Sequence, residues 1–302
     1  MIHDLYLRAH TTFNEKSEET EEKQPRRRKR AAKLWPDYAL VWDTETTLDL
    51  GQTLNFGVWR FCELRRAEYV AVQEGVFYHD GLSRHGVQTI LAYKRKHSAD
   101  DVAGTGNEDL VVVPRAKFVE RIFWEAVQAG ALIVGFNLPF DISRIAVRWA
   151  TAQNGGFSFV LSHLDKKQVE NHHRPRIRVA PLNGVAERIE LTAVRHQHEQ
   201  DKWRRGRFLD LHALVFALTD NSYSLAGAIE AFASTPPKME HEPTGQITSE
   251  ELAYARQDVR ATLGLLTLAV RSGPRIQTDN RAGFNDPNDC RSRHQRRYRH
   301  QS

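Results

Sequence analysis

The sequence predicts an α/β domain in which a mixed sheet is flanked by helices. Three consecutive β-prone runs at residues 38–45, 55–64 and 69–78 have the spacing of an antiparallel meander. Downstream of them, short apolar runs alternate with segments of helical periodicity, which is typical of strands that alternate with helices. At 302 residues and 40% hydrophobic content, the chain is long enough for one large domain or two small ones.

Charge separates a central part of the chain from two tails. Residues 1–35 carry nine Lys/Arg and six Asp/Glu, and residues 273–302 carry seven Arg and three Asp. The tails therefore hold +3 and +4 of a total of +5, which leaves −2 for residues 36–272. We expect both tails to be disordered, because neither has an apolar pattern and residues 26–30 form a block of five cations. The folded domain is expected at residues 36–272, where a slight excess of acid suits a cation site.

Composition also excludes several classes of protein. The two cysteines, Cys62 and Cys290, offer neither a disulfide framework nor a zinc cluster. The chain shows no signal peptide and no apolar run near the length of a membrane span. We therefore expect a soluble, cytoplasmic protein without a membrane partner.

The first predicted strand ends in two carboxylates. The run from Tyr38 to Trp42 is aromatic and branched, which favours a buried strand, and Asp43 and Glu45 follow it. Residues two apart on an extended chain point to the same face, so the two carboxylates lie side by side. Such a pair is costly unless a cation neutralises it, and oxygen ligands suit Mg²⁺ or Mn²⁺. A solvated Asp-x-Glu at a strand end is the alternative interpretation.

A helix is predicted between this first motif and the second. Glycine and aspartate residues at 98–109 indicate a loop, after which Pro114 suits the first position of a helix. Apolar residues at helical spacing mark the expected buried face: Phe118, Ile122, Phe123 and Val127.

A strand–helix unit carries the second motif. The apolar run at 131–135 predicts a short strand, and a helix is expected from about Leu138, with Asn137 as its N-cap and Pro139 in its first turn. Asp141 then lies in the first turns of the helix, near its positive end. A capped helix with an acidic first turn explains the same residues without any chemistry.

Two clusters of cations follow, on either side of residues 187–194. The clusters are Lys166, Lys167, Arg174, Arg176 and Arg178, then Lys202, Arg204, Arg205 and Arg207. Residues 157–161 and 176–180 are candidate strands, and Trp203 and Phe208 flank the second cluster. Interleaved cations and aromatic rings suit single-stranded nucleic acid, although a solvated hairpin explains each cluster equally well.

The third motif lies in the last predicted helix. Residues 208–212 lead from a strand into a helix, Ser224 caps another, and Thr248 or Ser249 begins the last, which the Gly-Pro pair at 273–274 is expected to end. Glutamate at position 251 is placed for a capping box.

Within that last helix, Tyr254 and Asp258 are four residues apart and therefore share a face.

Three motifs thus stand in a fixed order: Asp-x-Glu at 43–45, Asn-x-x-x-Asp at 137–141 and Tyr-x-x-x-Asp at 254–258. Over residues 36–272 the chain resembles the 3′–5′ exonuclease domain of the DEDDy class, which has a ribonuclease H-like fold. It is most similar to the proofreading exonuclease of family B DNA polymerases of phage and plasmid type. The segment Phe-Asn-Leu-Pro-Phe-Asp at 136–141 resembles the second motif of that family, and residues 254–262 resemble its third.

The resemblance implies an active site, residue by residue. Two Mg²⁺ or Mn²⁺ ions would be held by four carboxylates, those of Asp43, Glu45, Asp141 and Asp258, with the first as the bridge. Two such ions stabilise both the attacking and the leaving oxygen of an in-line phosphoryl displacement. Tyr254 would orient the attacking water. The 3′ end of a DNA strand would be contacted by Thr44, Asn137 and Phe140.

The resemblance leaves the substrate and the setting of the protein open. Ribonuclease D shares the last motif, so an RNA substrate is an alternative to single-stranded DNA. Family B polymerases continue for hundreds of residues, so the chain is either a stand-alone nuclease or the exonuclease piece of a split or truncated polymerase, with a separate polymerase module as partner. The competing class is a non-catalytic nucleic-acid-binding module. The set of four carboxylates argues against it, since a pure binder gains nothing by packing anions beside phosphate.

Overall fold

The computed structural model describes most of the chain between residues 35 and 279. The described residues are 35–99, 102, 109–153, 155–164, 169–182, 187–192, 203 and 207–279, with side chains described as far as residue 271. The two predicted tails therefore lie outside the described residues, apart from residue 35 and residues 273–279.

A six-stranded mixed sheet forms the centre of the described structure. In chain order its strands are β1 (Tyr38–Thr46), β2 (Leu54–Arg65), β3 (Glu68–Tyr78), β4 (Val111–Pro114), β5 (Leu132–Gly135) and β12 (Arg207–Asp210). Their order across the sheet is β12–β5–β1–β2–β3–β4. The first three strands pair antiparallel, which confirms the predicted meander. β5 runs parallel to β1, β12 parallel to β5, and β4 parallel to β3.

A second, antiparallel sheet lies in the chain between β5 and β12. Its strands are β6 (Arg148–Thr151), β7 (Phe157–Val160), β10 (Ile177–Pro181) and β11 (Glu187–Leu191), in the order β11–β10–β7–β6. A short hairpin pairs β8 (His163–Leu164) with β9 (Val169–Glu170). The candidate strands at 157–161 and 176–180 are confirmed by β7 and β10.

Helices cover both faces of the central sheet. They are α1 (Arg84–Lys96), α2 (Arg115–Phe118), α3 (Trp124–Ala129), α4 (Leu138–Ile145), α5 (Leu211–Thr219), α6 (Leu225–Ala231) and α7 (Ser249–Asp279), and a π-helical turn, Val119–Phe123, joins α2 to α3. The helices α1, α5, α6 and α7 pack on one face, whereas α2, α3, α4 and the second sheet pack on the other. The predicted α/β fold with a mixed sheet flanked by helices is confirmed.

The alternation of side chains along β1 determines which face of the sheet its two carboxylates occupy. In residues 39–42 the odd positions join the core beneath α7 and the even positions join the core beneath α3 and α4, and all four are fully buried. Because side chains alternate along a strand, Asp43 and Glu45 continue on the α7 side, while Thr44 faces α4.

β2 packs closely against β1 and β3 next to Asp43. Gly57 on β2 is opposite Thr44 in register. A Cβ atom on Gly57 would lie 2.2 Å from Cζ of Phe77 and 2.6 Å from the carbonyl oxygen of Asp43. Such distances are far inside van der Waals contact, so a glycine at this position permits the close packing.

Three details of the predicted elements were wrong. α1 lies where no helix is predicted, although Ser83 caps it with a hydrogen bond from Gly86 N–H and Ile90 and Tyr93 are buried at helical spacing. The helix expected from Pro114 begins one residue later, because Pro114 ends β4. α7 continues through the Gly-Pro pair at 273–274, since a proline removes one backbone hydrogen bond and does not have to end a long helix.

The described part of the chain contains neither a disulfide nor a helix that is long and apolar enough to cross a membrane. Cys62 is a buried free thiol on β2, and burial raises its pKa to about 12. Cys290 lies outside the described residues.

Candidate active site

Three carboxylates from β1 and α7 repel one another at the end of β1. Asp43 and Glu45 are partly exposed to solvent, whereas Asp258 is buried. Burial, and then the charge of Asp258, raise the pKa of Asp43 to about 7. Burial, and then the charges of Asp43 and Asp258, raise the pKa of Glu45 to about 9. The charge of Asp258 therefore disfavours the ionised forms of both Asp43 and Glu45.

A fourth carboxylate reaches the same end of the sheet from α4. Oδ1 of Asp141 accepts hydrogen bonds from the backbone N–H of Thr44, at 3.2 Å, and from the Thr44 hydroxyl, at 2.6 Å. Its Oδ2 atom is buried and has no hydrogen-bond partner among the described residues. Burial, and then the charge of Asp43, raise the pKa of Asp141 well above its ordinary value. A Cβ atom added to Gly135, at the end of β5, would lie only 3.3 Å from Asp141 Oδ2. The absence of a side chain at Gly135 therefore leaves room for the carboxylate.

A lysine that belongs to none of the three motifs neutralises Asp258. Nζ of Lys238, in the loop between α6 and α7, lies 2.7 Å from Asp258 Oδ2. The other oxygen of this carboxylate, Oδ1, is buried without a hydrogen-bond partner in the described structure. Burial raises the pKa of Asp258, and the hydrogen bond from Lys238 opposes that rise. Burial lowers the pKa of Lys238, but its bonds to Asp258 and Tyr254 outweigh this and raise it overall, so the ammonium stays charged.

Tyr254 lies one helical turn before Asp258, as the spacing predicts. The centre of its ring is 4.9 Å from Lys238 Nζ and 4.9 Å from the ring centre of His241. The pKa of the phenol is raised to about 12, mainly by burial and in part by Asp258, while Lys238 acts in the opposite direction. The phenol is therefore protonated at neutral pH and can both donate and accept a hydrogen bond.

A second group of polar contacts holds the loop that carries Lys238. Glu251 accepts hydrogen bonds from the N–H and the hydroxyl of Thr244, at 2.5 and 2.7 Å, and His241 Nε2 lies 3.2 Å from its carboxylate. The hydroxyl of Thr248 accepts the N–H of Glu251 and so caps α7. The predicted capping box is half formed, because the Glu251 side chain turns to Thr244 rather than back to the cap.

Thr44, which is predicted to contact the 3′ end of a strand, contacts Asp141 in the structure. Both its N–H and its hydroxyl donate to Asp141, and the residue is buried. Thr44 therefore positions a carboxylate.

Asn137 is at the start of α4, but its side chain does not cap the helix. The predicted N-cap position is confirmed, but the capping hydrogen bond is missing, because Asn137 adopts a left-handed backbone conformation, with φ 78° and ψ 46°. Its N–H instead donates to Oδ1 of Asp210 at 2.9 Å, and the same oxygen accepts the N–H of His212. Asp210 thus joins the start of α4 to the start of α5. Asn137 is exposed, which leaves its amide accessible to a ligand.

Phe140, in the first turn of α4, is half-buried. The guanidinium carbon of Arg144 lies 4.8 Å from the centre of its ring, so a cation covers part of this aromatic surface.

The first basic cluster is largely neutralised within the fold. Its described arginines pair with glutamates at 2.9, 2.6 and 2.5 Å: Arg174 with Glu120, Arg176 with Glu170, and Arg178 with Glu190. Trp203 and Phe208, expected to stack on bases, are buried in the core. The hairpin interpretation therefore fits the described residues better. Arg207, of the second cluster, lies on β12. The other members of the two clusters lie outside the described residues: Lys166, Lys167, Lys202, Arg204 and Arg205.

The donor set suits a hard divalent cation, although the side chains do not form a closed site as they stand. Within the described residues, no three His, Cys, Asp or Glu side chains are grouped so that they could hold an ion. The site nevertheless contains oxygen donors, mutual repulsion among them, and two buried oxygens without hydrogen-bond partners, on Asp141 and Asp258. A hard cation relieves this repulsion and satisfies such oxygens.

Models of known protein families give no match to this chain, and curated proteins give none either.

Proposed function

We propose that this protein is a metal-dependent 3′–5′ exonuclease of the DEDDy class that removes nucleoside 5′-monophosphates from the 3′ end of single-stranded DNA. The observation that carries the proposal is the convergence of acidic side chains from three separate elements: the charge of Asp258 raises the pKa of Asp43 and of Glu45, and the charge of Asp43 raises the pKa of Asp141. A ribonuclease H-like fold is supported by the order of the strands: beyond the first strand of the antiparallel meander lie β5 and then β12, and both run parallel to it.

Four carboxylates would hold the ions in this proposal: Asp43, Glu45, Asp141 and Asp258. Bound Mg²⁺ or Mn²⁺ supplies a lowered pKa for a ligated water and charge stabilisation at the attacking and leaving oxygens. The protein contributes a rigid set of ligands, because Thr44 fixes Asp141 with two hydrogen bonds and α7 fixes Asp258.

The two groups nearest Asp258 have separate roles in the reaction. The protonated phenol of Tyr254 donates a hydrogen bond to the attacking water or accepts one from it, and so fixes the orientation of that water. The ammonium of Lys238 partly neutralises Asp258 and favours the approach of a phosphate to a site that is otherwise anionic.

One observation favours a second candidate, a non-catalytic binding module. Lys238 already occupies one oxygen of Asp258, and a permanent ion pair of this kind would leave the carboxylate unable to take a divalent ion. The two candidates differ in one measurable property. An exonuclease gains thermal stability from Mg²⁺ or Mn²⁺ through binding to the folded state, and a metal-free binding module does not.

The direct test is digestion of a single-stranded oligonucleotide labelled at its 5′ end, in Mg²⁺ and in chelator. The proposal predicts a ladder of labelled products that shorten from the 3′ end, release of nucleoside 5′-monophosphates, and no reaction in chelator. A parallel oligonucleotide with a 3′-terminal phosphate, and one of RNA, distinguish the end and the sugar that the enzyme accepts. Undiminished degradation in chelator, or products that shorten from the 5′ end, would refute the proposal.

The same assay addresses the preference for a single strand. A primer with a mismatched 3′ nucleotide on a template should be shortened faster than a matched primer, because the mismatched end frays into a single strand. Equal rates would contradict the proposed preference for a single-stranded 3′ end.

A further inference from the structure

Arg144 differs from the arginines of the second sheet in what it contacts. Its Nε donates to the hydroxyl of Ser143 at 2.9 Å, and its Nη1 donates to the carbonyl oxygens of Gly51 and Gln52 at 3.2 and 2.8 Å. All three acceptors are neutral. Among the described residues no carboxylate lies within ion-pair distance of Arg144, so its charge is uncompensated in this part of the structure.

The position of Arg144 relates it to the carboxylates. It lies on α4, three residues after Asp141, and its guanidinium is held against the loop that follows Glu45 on β1. This loop bears an apolar side chain that is fully exposed, that of Leu50. Arg144 therefore joins α4 to the loop that follows β1, and α4 and β1 are the two elements that supply three of the four carboxylates.

The geometry of the guanidinium leaves part of it available. Two of its nitrogens are fixed by hydrogen bonds, and Nη2 donates none to a described residue. A planar guanidinium that is held in place loses little entropy on binding, and it matches the oxygens of a phosphate. A strand that approaches four carboxylates is repelled by them, so an uncompensated cation on an element that carries one of these carboxylates has a large effect on its affinity.

We infer that Arg144 binds a backbone phosphate of the substrate strand next to the scissile phosphodiester, and so contributes to affinity for a strand rather than to bond cleavage. This inference rests on the proposed function, because it takes a single-stranded polynucleotide as the ligand. The alternative role is structural, in which Arg144 only anchors the loop at residues 51–52 to α4.

Two substitutions separate these roles. Arg144→Gln removes the charge and most of the loop contacts, whereas Arg144→Lys keeps the charge but loses the planar fork that spans two carbonyls. Arg121→Gln is the matched control, because its side chain is 74% exposed and makes a surface ion pair of 3.7 Å with Glu125.

The measurement is the affinity for a fluorescent ten-nucleotide single-stranded DNA, in Ca²⁺ and over a series of salt concentrations. Arg144→Gln should weaken binding about tenfold. It should also reduce the slope of log K against log salt by about 0.7, the contribution of one single-strand phosphate. Arg144→Lys should keep the wild-type slope, and Arg121→Gln should match wild type in both properties.

Hydrolysis of thymidine 5′-(p-nitrophenyl phosphate) gives a second readout, since this ester has one phosphodiester and no neighbouring backbone phosphate. Its kcat/KM in Mn²⁺ should fall much less in Arg144→Gln than kcat/KM for the oligonucleotide does, because the ester offers no backbone phosphate to lose, although the guanidinium also covers Phe140. Equal losses in the Gln and Lys variants, a parallel fall in ester hydrolysis, or no binding of the oligonucleotide by wild type would overturn the inference.

These outcomes are distinct from failure of the proposed function. If wild type binds the strand but hydrolyses neither substrate, the proposed exonuclease is refuted and the salt series still decides the role of Arg144. If wild type hydrolyses both and Arg144→Gln binds like wild type, the inference about Arg144 alone is refuted.

Discussion

Replacing Asp43 with asparagine should stabilise the metal-free protein. The raised pKa means that the folded state binds the proton of Asp43 more tightly than the unfolded chain does. Ionisation of Asp43 therefore costs folding free energy, and wild-type stability falls as pH rises from about 4, the ordinary pKa, through about 7, the folded value. An amide of the same shape carries no charge and escapes this loss.

The size of the effect follows from the shift. A rise from 3.8 to about 7 corresponds to an upper limit of about 4 kcal/mol at pH 8. Partial exposure of Asp43, and the new amide hydrogens that lack acceptors, reduce the expected gain to about 2 kcal/mol. For a domain of this size that gain raises Tm by roughly 4–8 °C.

The assay is thermal unfolding in chelator at pH 5 and pH 8, followed by circular dichroism. Asp43→Asn should unfold at a higher temperature than wild type at pH 8, with a smaller difference at pH 5. Glu250→Gln is the control, because Glu250 is an exposed carboxylate in the first turn of α7 and its loss should bring no gain. Mg²⁺ should then stabilise wild type and affect Asp43→Asn much less. A lower Tm for Asp43→Asn at pH 8 in chelator, or equal shifts in Mg²⁺, would contradict this explanation of the raised pKa.

Three further substitutions test other parts of the structure. Tyr254→Phe keeps the ring, so Tm should stay within about 2 °C of wild type, whereas kcat should fall with little change in affinity for DNA; an unaltered kcat would return Tyr254 to a packing role. Lys238→Met should lower Tm in chelator by a few degrees, because Asp258 loses its counter-charge, and should enlarge the stabilisation by Mg²⁺; an unchanged response to Mg²⁺ would mean that Lys238 and the metal do not compete. Gly57→Ala should destabilise the fold by about 3 kcal/mol in urea unfolding, since its Cβ meets Phe77 and the backbone of Asp43; a loss below about 1 kcal/mol would show that the strands can separate there.

Local patterns were enough to predict most of the strands and helices that carry the motifs. The alternation along residues 39–45 is a local property of a strand, and it determines which face of the sheet receives Asp43 and Glu45. The four-residue spacing of Tyr254 and Asp258 likewise determines that both lie on one face of α7. These features depend on the backbone period and therefore need no knowledge of the tertiary fold.

Contacts between distant segments could not be predicted in the same way. Lys238 meets Asp258 because the loop between α6 and α7 folds back onto α7, and no periodicity specifies the path of that loop. Asn137 has the sequence pattern of a side-chain cap, but its N–H donates to Asp210, 73 residues away, and its backbone is left-handed. The arginines at 174, 176 and 178 have the composition of a nucleic-acid surface, and their neutralisation depends on glutamates from other elements.

The central claim, that the four carboxylates act as one metal-dependent catalytic unit, is tested most directly by a double-mutant comparison. The measurement is the rate of 3′–5′ degradation of a labelled oligonucleotide in Mg²⁺ by wild type, Asp43→Ala, Asp258→Ala and the variant with both substitutions. Because the ligands work together, each single substitution should reduce the rate nearly to the level of wild type in chelator, and the double substitution should reduce it little further. Wild-type rates in either single variant, or losses that multiply in the double variant, would contradict the claim.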